Sequence, residues 1–274
     1  MNANMIFDFL WNDYVKEAPQ ATKVKELFEN YGEEVVNDHI AFRTFNHPAI
    51  SKEELAKTFL NLGYEYAGQY HFADKKLNAV HLAHPTQQLP KVFISELLLE
   101  EFSIDLQKTI QTEVIDQIAD KLVAADNLAL AGRAWALPSY EVYQNLRTES
   151  EYAAWTYVYG FRANHFTVSV NHLKKLNTIE EVNTFLKNNG YLLNNSGGEV
   201  KGSTAVCLKQ SSTIAEMRML PFQEGVYEVP SCFYEFAERF NKEDGTLFEG
   251  FIADNANKIF ESTDLALQED IVVA

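Results

Sequence analysis

SKEELAKTFLNLGY (residues 51–64) and TIEEVNTFLKNNGY (residues 178–191) decide the architecture, because they read as one element written twice. Aligned without gaps, Ser51 stands over Thr178 and Glu54 over Glu181. A hydroxyl followed three residues later by a glutamate is the signature of a capping box. Gly63 stands over Gly190, where a glycine ends a helix. Glu53/Glu180, Asn61/Asn188 and Tyr64/Tyr191 also match. Two well-capped amphipathic helices can look alike by chance. Here a strand-patterned segment with a histidine also precedes each copy, His39 lying 12 residues before Ser51 and His165 lying 13 before Thr178, and this favours a repeat.

Working outward, HIAFRTF (39–45) alternates as a strand, and YEYAGQYHF (64–72), LNAVHLAHP (77–85) and KVFISELLL (91–99) supply three more, giving one βαβββ unit. In the second copy NHFTVSV (164–170), TAVCLKQSS (204–212) and SCFYEFAERF (231–240) read as strands. A further strand is expected between Tyr191 and Ser203. Phe9, Leu10, Tyr14, Val24, Leu27 and Phe28 recur at helical spacing up to Gly32, and residues 105–125 and 139–156 are helical by pattern. The expectation is an α+β protein of two βαβββ units around a cleft. As a single domain over 1–274 it comprises an N-terminal helical segment (1–37), a first unit (38–99), a helical insertion (100–163), a second unit (164–240) and a C-terminal tail (241–274).

The 274 residues are 46% hydrophobic, ample for a core. A formal charge of −16, from 23 Lys+Arg against 39 Asp+Glu, repels nucleic acid and anionic membrane surfaces, so neither partner is expected. An anionic small substrate then needs a local positive group, a metal ion or a buried arginine. The two cysteines, Cys207 and Cys232, are too few for a disulfide scaffold and read as reduced core residues. The opening MNANMIFDFLWNDYV has no positive n-region, and Asp8 and Asp13 interrupt its apolar run, which leads to the expectation of a soluble, cytoplasmic protein. The Gly197–Gly198 pair has no following helix to form a phosphate loop, and no nucleophile elbow occurs.

Of seven histidines, His39 and His165 stand out because they occupy equivalent places in the two copies. If equivalent strands face one another, two imidazoles can meet at a metal ion. A third ligand is expected from the last strand, where Glu235 and Glu238 point to opposite faces. Glu235 lies among Phe233, Phe236 and Ala237, where a carboxylate is costly unless paired or metal-bound; the alternative is an edge-strand glutamate in water. Two imidazoles and one carboxylate suit non-haem Fe(II) and O₂ chemistry, and zinc or another divalent metal fits the same ligands. Glu216 and Glu238 are the substitutes if the register of the last strand differs. Arg43 shares a strand face with His39 and has the small Ala41 between, so it can grip the far end of a dicarboxylate with two parallel hydrogen bonds. A surface ion pair of Arg43 with Asp38 or Glu34 is the plainer reading, and Arg162 and Arg218 are weaker choices for the anchoring role. Ser95 and Glu96, on the strand corresponding to that of Glu235, are structural or substrate-facing. Tyr64, Tyr70 and Tyr191 read as packing residues.

Together DHIAFRTF, NHFTVSV and FYEFAERF resemble the 2-oxoadipate dioxygenase/decarboxylase family, which is related to the vicinal oxygen chelate superfamily, and the resemblance runs over essentially the whole chain. It implies that His39, His165 and Glu235 hold Fe(II) and that Arg43 belongs to the H-x-x-x-R element. It also implies that a small 2-oxo acid such as 2-oxoadipate reacts with O₂, losing CO₂ to give a 2-hydroxy acid. Two other functions share these ligands: a metal-dependent hydrolase, lyase or isomerase, and a non-catalytic small-acid binding protein.

Overall fold

The computed structural model describes residues 2–118 and 127–263. They form two compact units: Met1–Tyr14, Ala41–Asn164 and Met217–Val229 make the first, and Val15–Ile40, His165–Glu216 and Pro230–Ala274 the second. At the N-terminus stand α1 (Ala3–Glu17) and α2 (Pro19–Tyr31), the latter closed by Gly32 in the left-handed region. Strand β1 (Asn37–Phe45) begins in the second unit and ends in the first.

The first unit continues with α3 (Lys52–Leu60), β2 (Glu65–Phe72), β3 (Leu77–Ala83) and β4 (Lys91–Leu97), in the sheet order β2-β3-β4-β1. Leu55 and Phe59 on the inner stripe of α3 are fully buried, and Phe59 lies 5.6 Å from Phe42 of β1. Each such side chain contributes roughly 1.5–3 kcal/mol through burial. Helix α4 (Ile104–Ile110) passes through a π turn at Gln111–Ile115 into α5 (Asp116–Ile118); the rest of the helix expected over 105–125 lies outside the described residues. The helix expected over 139–156 is instead two, α6 (Tyr140–Glu149) and α7 (Glu151–Tyr159). Ser150 breaks it with extended backbone at φ −153°, and its hydroxyl caps α7 by accepting the Ala153 N–H at 3.1 Å.

In the second unit β5 (Ala163–Ser169) leads to α8 (Ile179–Asn188), β6 (Lys201–Ser203), β7 (Leu208–Ser212) and, after a hairpin, β10 (Phe233–Arg239). That hairpin, β8 (Met217–Phe222) with β9 (Gly225–Pro230), belongs to the first unit. The order β5-β10-β7-β6 repeats that of the first unit when β1, β2, β3 and β4 are set against β5, β6, β7 and β10. Buried Phe28 meets the buried Phe236 edge-on and stacks on the half-buried Phe185. The strand expected over 204–212 starts only at Leu208, because Thr204–Val206 is a 3₁₀ turn and Cys207 has φ +59°. Cys232 is buried as expected, whereas Cys207 is half-buried and its thiol reaches the Asn241 carbonyl. The C-terminal segment expected as a tail carries a helix, α9 (Ala253–Phe260). Among the described residues no helix is long and apolar enough to cross a membrane.

Candidate metal centre

Strand β10 is buried along its whole length, and its residues alternate between two faces. Its parallel pairing with β5 sets Phe233 against His165 and Glu235 against Thr167. The opposite face carries Glu238, which accepts the Ile179 N–H at 3.0 Å and so caps the first turn of α8. In the first unit Glu96 does the same for α3: it accepts the Lys52 N–H at 3.0 Å and pairs with the Lys52 ammonium at 2.5 Å. Glu96 therefore corresponds to Glu238, and the place of Glu235 is taken in the first unit by Phe93. Glu96 is thus engaged by the start of α3, and the Ser95 hydroxyl lies 3.0 Å from that of Tyr152. Glu216, the other substitute ligand, is engaged by the Gln20 N–H at 2.8 Å.

His39, His165 and Glu235, all in the second unit, converge: one ligand atom from each lies within 4.8 Å of the others. His165 Nε2 is 3.1 Å from Glu235 Oε2, and His39 Nε2 is 3.6 Å from Glu235 Oε1. All three are buried, Glu235 completely. Gln210 Nε2 donates to Glu235 Oε1 at 2.6 Å. Asp38 Oδ1 lies 2.8 Å from His39 Nδ1, so the other ring nitrogen, Nε2, is the one that faces Glu235. The Thr167 hydroxyl lies 3.1 Å from that Nε2. Phe233 stacks on His165 at 4.6 Å and Phe251 stands edge-on to His39 at 4.8 Å.

Burial raises the Glu235 pKa, but the facing His39 and His165 charges, with hydrogen bonds from His165 and Gln210, outweigh it and leave the pKa lowered. For Asp38 burial likewise raises the pKa, and the Arg239 guanidinium drives it well below the usual carboxylate range. Both carboxylates are thus held ionised, the form that ligates a cation.

Two ligand atoms each ~2.1 Å from a cation are about 3.0 Å apart at right angles and about 3.4 Å apart in a tetrahedron. The 3.1 and 3.6 Å separations fall beside these values. Glu235 Oε2 is buried with the His165 ring nitrogen as its neighbour at 3.1 Å, a pair of donor atoms that a cation can bridge. Both observations fit a divalent metal held by two imidazoles and one carboxylate.

Arg43 is not a surface residue. Only 2% of it is exposed, and its guanidinium carbon lies 5.1 Å from the Tyr152 ring and 5.0 Å from the Trp155 ring, all within the first unit. The acids considered for a surface pair lie elsewhere: Asp38 binds Arg239, and Glu34 pairs with Lys174. Arg162 binds Asp13. Sequence reading passed over Asp38, Gln210 and Arg239. The polar Gln210 and the charged Arg239 at inward positions of buried strands were the signals that could have revealed them.

A family model described as 2-oxoadipate dioxygenase/decarboxylase matches residues 9–243. A curated plastid protein of Oryza sativa bearing that name is 36% identical over 91% of this chain and 75% of its own length. Among solved structures, hydroxyglutarate synthase of Oryza sativa in complex with 2-oxoadipate superposes with a TM-score of 0.90 at 34% identity, covering 97% of this chain and 93% of that one. A Shewanella frigidimarina protein provisionally described as a hydrolase gives 0.85 at 50% identity, over 91% and 97%. A glyoxalase-superfamily protein of Ralstonia eutropha, 21% identical with a TM-score of 0.76 over 91% and 84%, shares the vicinal oxygen chelate fold.

Proposed function

The chain belongs to the 2-oxoadipate dioxygenase/decarboxylase family, and from that premise we propose that it is an Fe(II)-dependent enzyme acting on a small 2-oxo diacid. The reaction joins 2-oxoadipate and O₂ to give CO₂ and 2-hydroxyglutarate, a balance in which every oxygen of O₂ and of the acid is retained in the two products. The observation that carries the reading is the buried His39, His165 and Glu235 cluster, whose ring nitrogens and carboxylate oxygens face one another. The iron, when bound, supplies an electrophilic centre for the substrate's carboxylate and keto oxygens and the one-electron chemistry that O₂ requires.

The protein's part is binding and orientation. His39 and His165 would offer their Nε2 atoms to the metal, Asp38 orienting the first ring through its Nδ1, while Gln210 fixes the Glu235 carboxylate. Phe233 and Phe251 keep water from the two imidazoles. Arg43, on the same strand as His39, is the proposed anchor for the distal carboxylate. Its guanidinium fork is held flat by two rings, and it supplies the positive charge that the −16 balance demands. A cytoplasmic site of action is part of the proposal.

The test is metal analysis of protein purified without added metal, then O₂ uptake and CO₂ release after loading with Fe(II) or Zn(II). One CO₂ per O₂ with 2-oxoadipate, only with iron, is the expected result. Turnover with zinc and no O₂ uptake would replace the dioxygenase with a hydrolase, lyase or isomerase. Equal affinity for the acid with and without metal would leave a binding protein.

A further inference from the structure

We infer that the Asp38–Arg239 pair and the segment from Phe248 to Asn255 are a working part of the metal centre, fixing the two ligands His39 and Glu235 in their metal-ready positions; this rests on the metal reading above. Asp38 and Arg239 are 201 residues apart in sequence and both are buried. A buried ion pair is weak support for stability, since apolar residues of similar volume often serve as well. Its hydrogen bonds show a different use. Arg239 Nε donates to Asp38 Oδ2 at 2.6 Å and its Nη2 to Oδ1 at 2.8 Å, a two-pronged grip that leaves the carboxylate one orientation. In that orientation Oδ1 also meets His39 Nδ1 at 2.8 Å. Arg239 stands four residues beyond Glu235 on the same face of β10, so one side chain ties the strand of one ligand to the strand of the other.

The remaining guanidinium nitrogen donates to the Phe248 carbonyl at 3.1 Å and the Gly250 carbonyl at 2.7 Å. The same segment sends the Phe251 ring beneath the guanidinium, 5.3 Å from its carbon, and edge-on against His39. A few residues later Asn255 Nδ2 donates to Gln210 Oε1 at 3.1 Å, which turns the Gln210 amide so that its NH₂ meets Glu235. Gly202 makes this approach possible. It has φ +84°, and a Cβ there would stand 2.4 Å from Asn255 Nδ2 and 2.2 Å from the Leu208 carbonyl. The segment therefore reaches Glu235 through Gln210 and His39 through Arg239 and Asp38, and its Phe251 ring presses directly on His39. Outer partners of metal ligands act by fixing ring orientation and ligand basicity.

The experiment titrates metal-free full-length protein with Co(II) against a chelator and records the visible cobalt spectrum, for Asp38→Asn, Asn255→Ala, Phe251→Leu and the control Glu33→Gln. Glu33 is a buried carboxylate of the same unit that accepts three backbone N–H groups, from Lys174, Lys175 and Leu176, and lies outside the centre. Asp38→Asn and Asn255→Ala are expected to weaken cobalt binding by about 10–100-fold and shift the spectrum. Glu33→Gln should lower stability and leave both unchanged. Asn255→Ala and Phe251→Leu, which keep the ion pair, carry the test if Asp38→Asn does not fold. Unaltered protein that binds no cobalt overturns the metal reading and this inference together. Unaltered protein that binds, with affinity and spectrum in the variants matching it, overturns this inference alone. Equal weakening in Glu33→Gln does so too, reducing the segment to general stability.

Discussion

Replacing Arg43 by lysine separates a dicarboxylate enzyme from a generic metal protein. The substitution keeps the charge in a place where only 2% of the residue is exposed, and removes the planar fork. The two rings that hold the guanidinium are themselves fixed. Tyr152 donates to the Ser95 carbonyl at 2.8 Å and accepts the Thr44 N–H at 3.1 Å, while Trp155 is buried. Truncating one partner of a buried charged pair costs about 2–5 kcal/mol, much of it from the stranded charge. Lysine leaves no stranded charge and one hydrogen bond, so roughly half is lost, about 1–2.5 kcal/mol, or ~5- to 60-fold in kcat/KM at 1.4 kcal/mol per decade. Loss of the two cation–π contacts affects the protein equally with any substrate and cancels in a ratio.

The assay is therefore a ratio: O₂ consumption with 2-oxoadipate against 2-oxohexanoate, which has the same chain without the distal carboxylate, at matched iron occupancy. Arg43→Lys should lose ~5- to 60-fold on the diacid and little on the monoacid, with iron affinity unchanged. An equal loss on both would refute the anchoring role and make Arg43 a support for the metal or the fold. An unchanged rate on both would remove it from function.

Two further outcomes concern the carboxylates outside the centre. Glu96→Gln and Glu238→Gln each weaken a helix cap, and each should cost about 1–2 kcal/mol in urea unfolding with cobalt affinity intact; lost cobalt binding in Glu238→Gln would return Glu238 to the ligand set. Burial raises the Glu33 pKa, but its three backbone N–H donors outweigh it, leaving the pKa below 4.5 in the folded chain. The unfolded chain takes up the proton first, so the stabilisation is full above about 4.5 and is lost as pH falls through the lower folded value. The stability gap between the unaltered protein and Glu33→Gln should then be largest at pH 7 and shrink towards pH 3; a gap that widens on acidification would refute the assignment.

Legibility followed the range of the interactions. The α3 and α8 helices and the strands β1 to β5 were readable because period and capping are local, and Thr178 with Glu181 does form the reciprocal capping box. Ser51 makes no such bond, although its sequence is as good; the first N–H of α3 is taken by the Glu96 carboxylate arriving from β4, as Glu238 takes that of α8. The Glu96 contact spans 44 residues and leaves no local trace. The β8–β9 hairpin was missed because MRMLPF carries a proline and is too exposed to alternate. Helix α9 was missed because it is short and buries only Asn255, which serves Gln210, and Ile259, which joins Phe233 and Ala215. His39, His165 and Glu235 were found through their repeat and their apolar surroundings, whereas Asp38, Gln210 and Arg239 become visible only through their partners.

The helix caps also set the register of the repeat, and the register explains why the carboxylate ligand comes from the second copy alone. With Glu96 set against Glu238, Phe93 falls on Glu235, and the cross-strand pair Phe93–His81 on Glu235–Ser212. With His39 set against His165, Arg43 falls on Ser169. The first copy thus has phenylalanine where the second has its carboxylate ligand, and arginine where the second has serine. A face that lacks the acid cannot complete a three-ligand site from its own last strand. Under the proposed function, an arginine on the copy without the carboxylate would give a diacid's two ends different chemistry, metal for one and a guanidinium fork for the other.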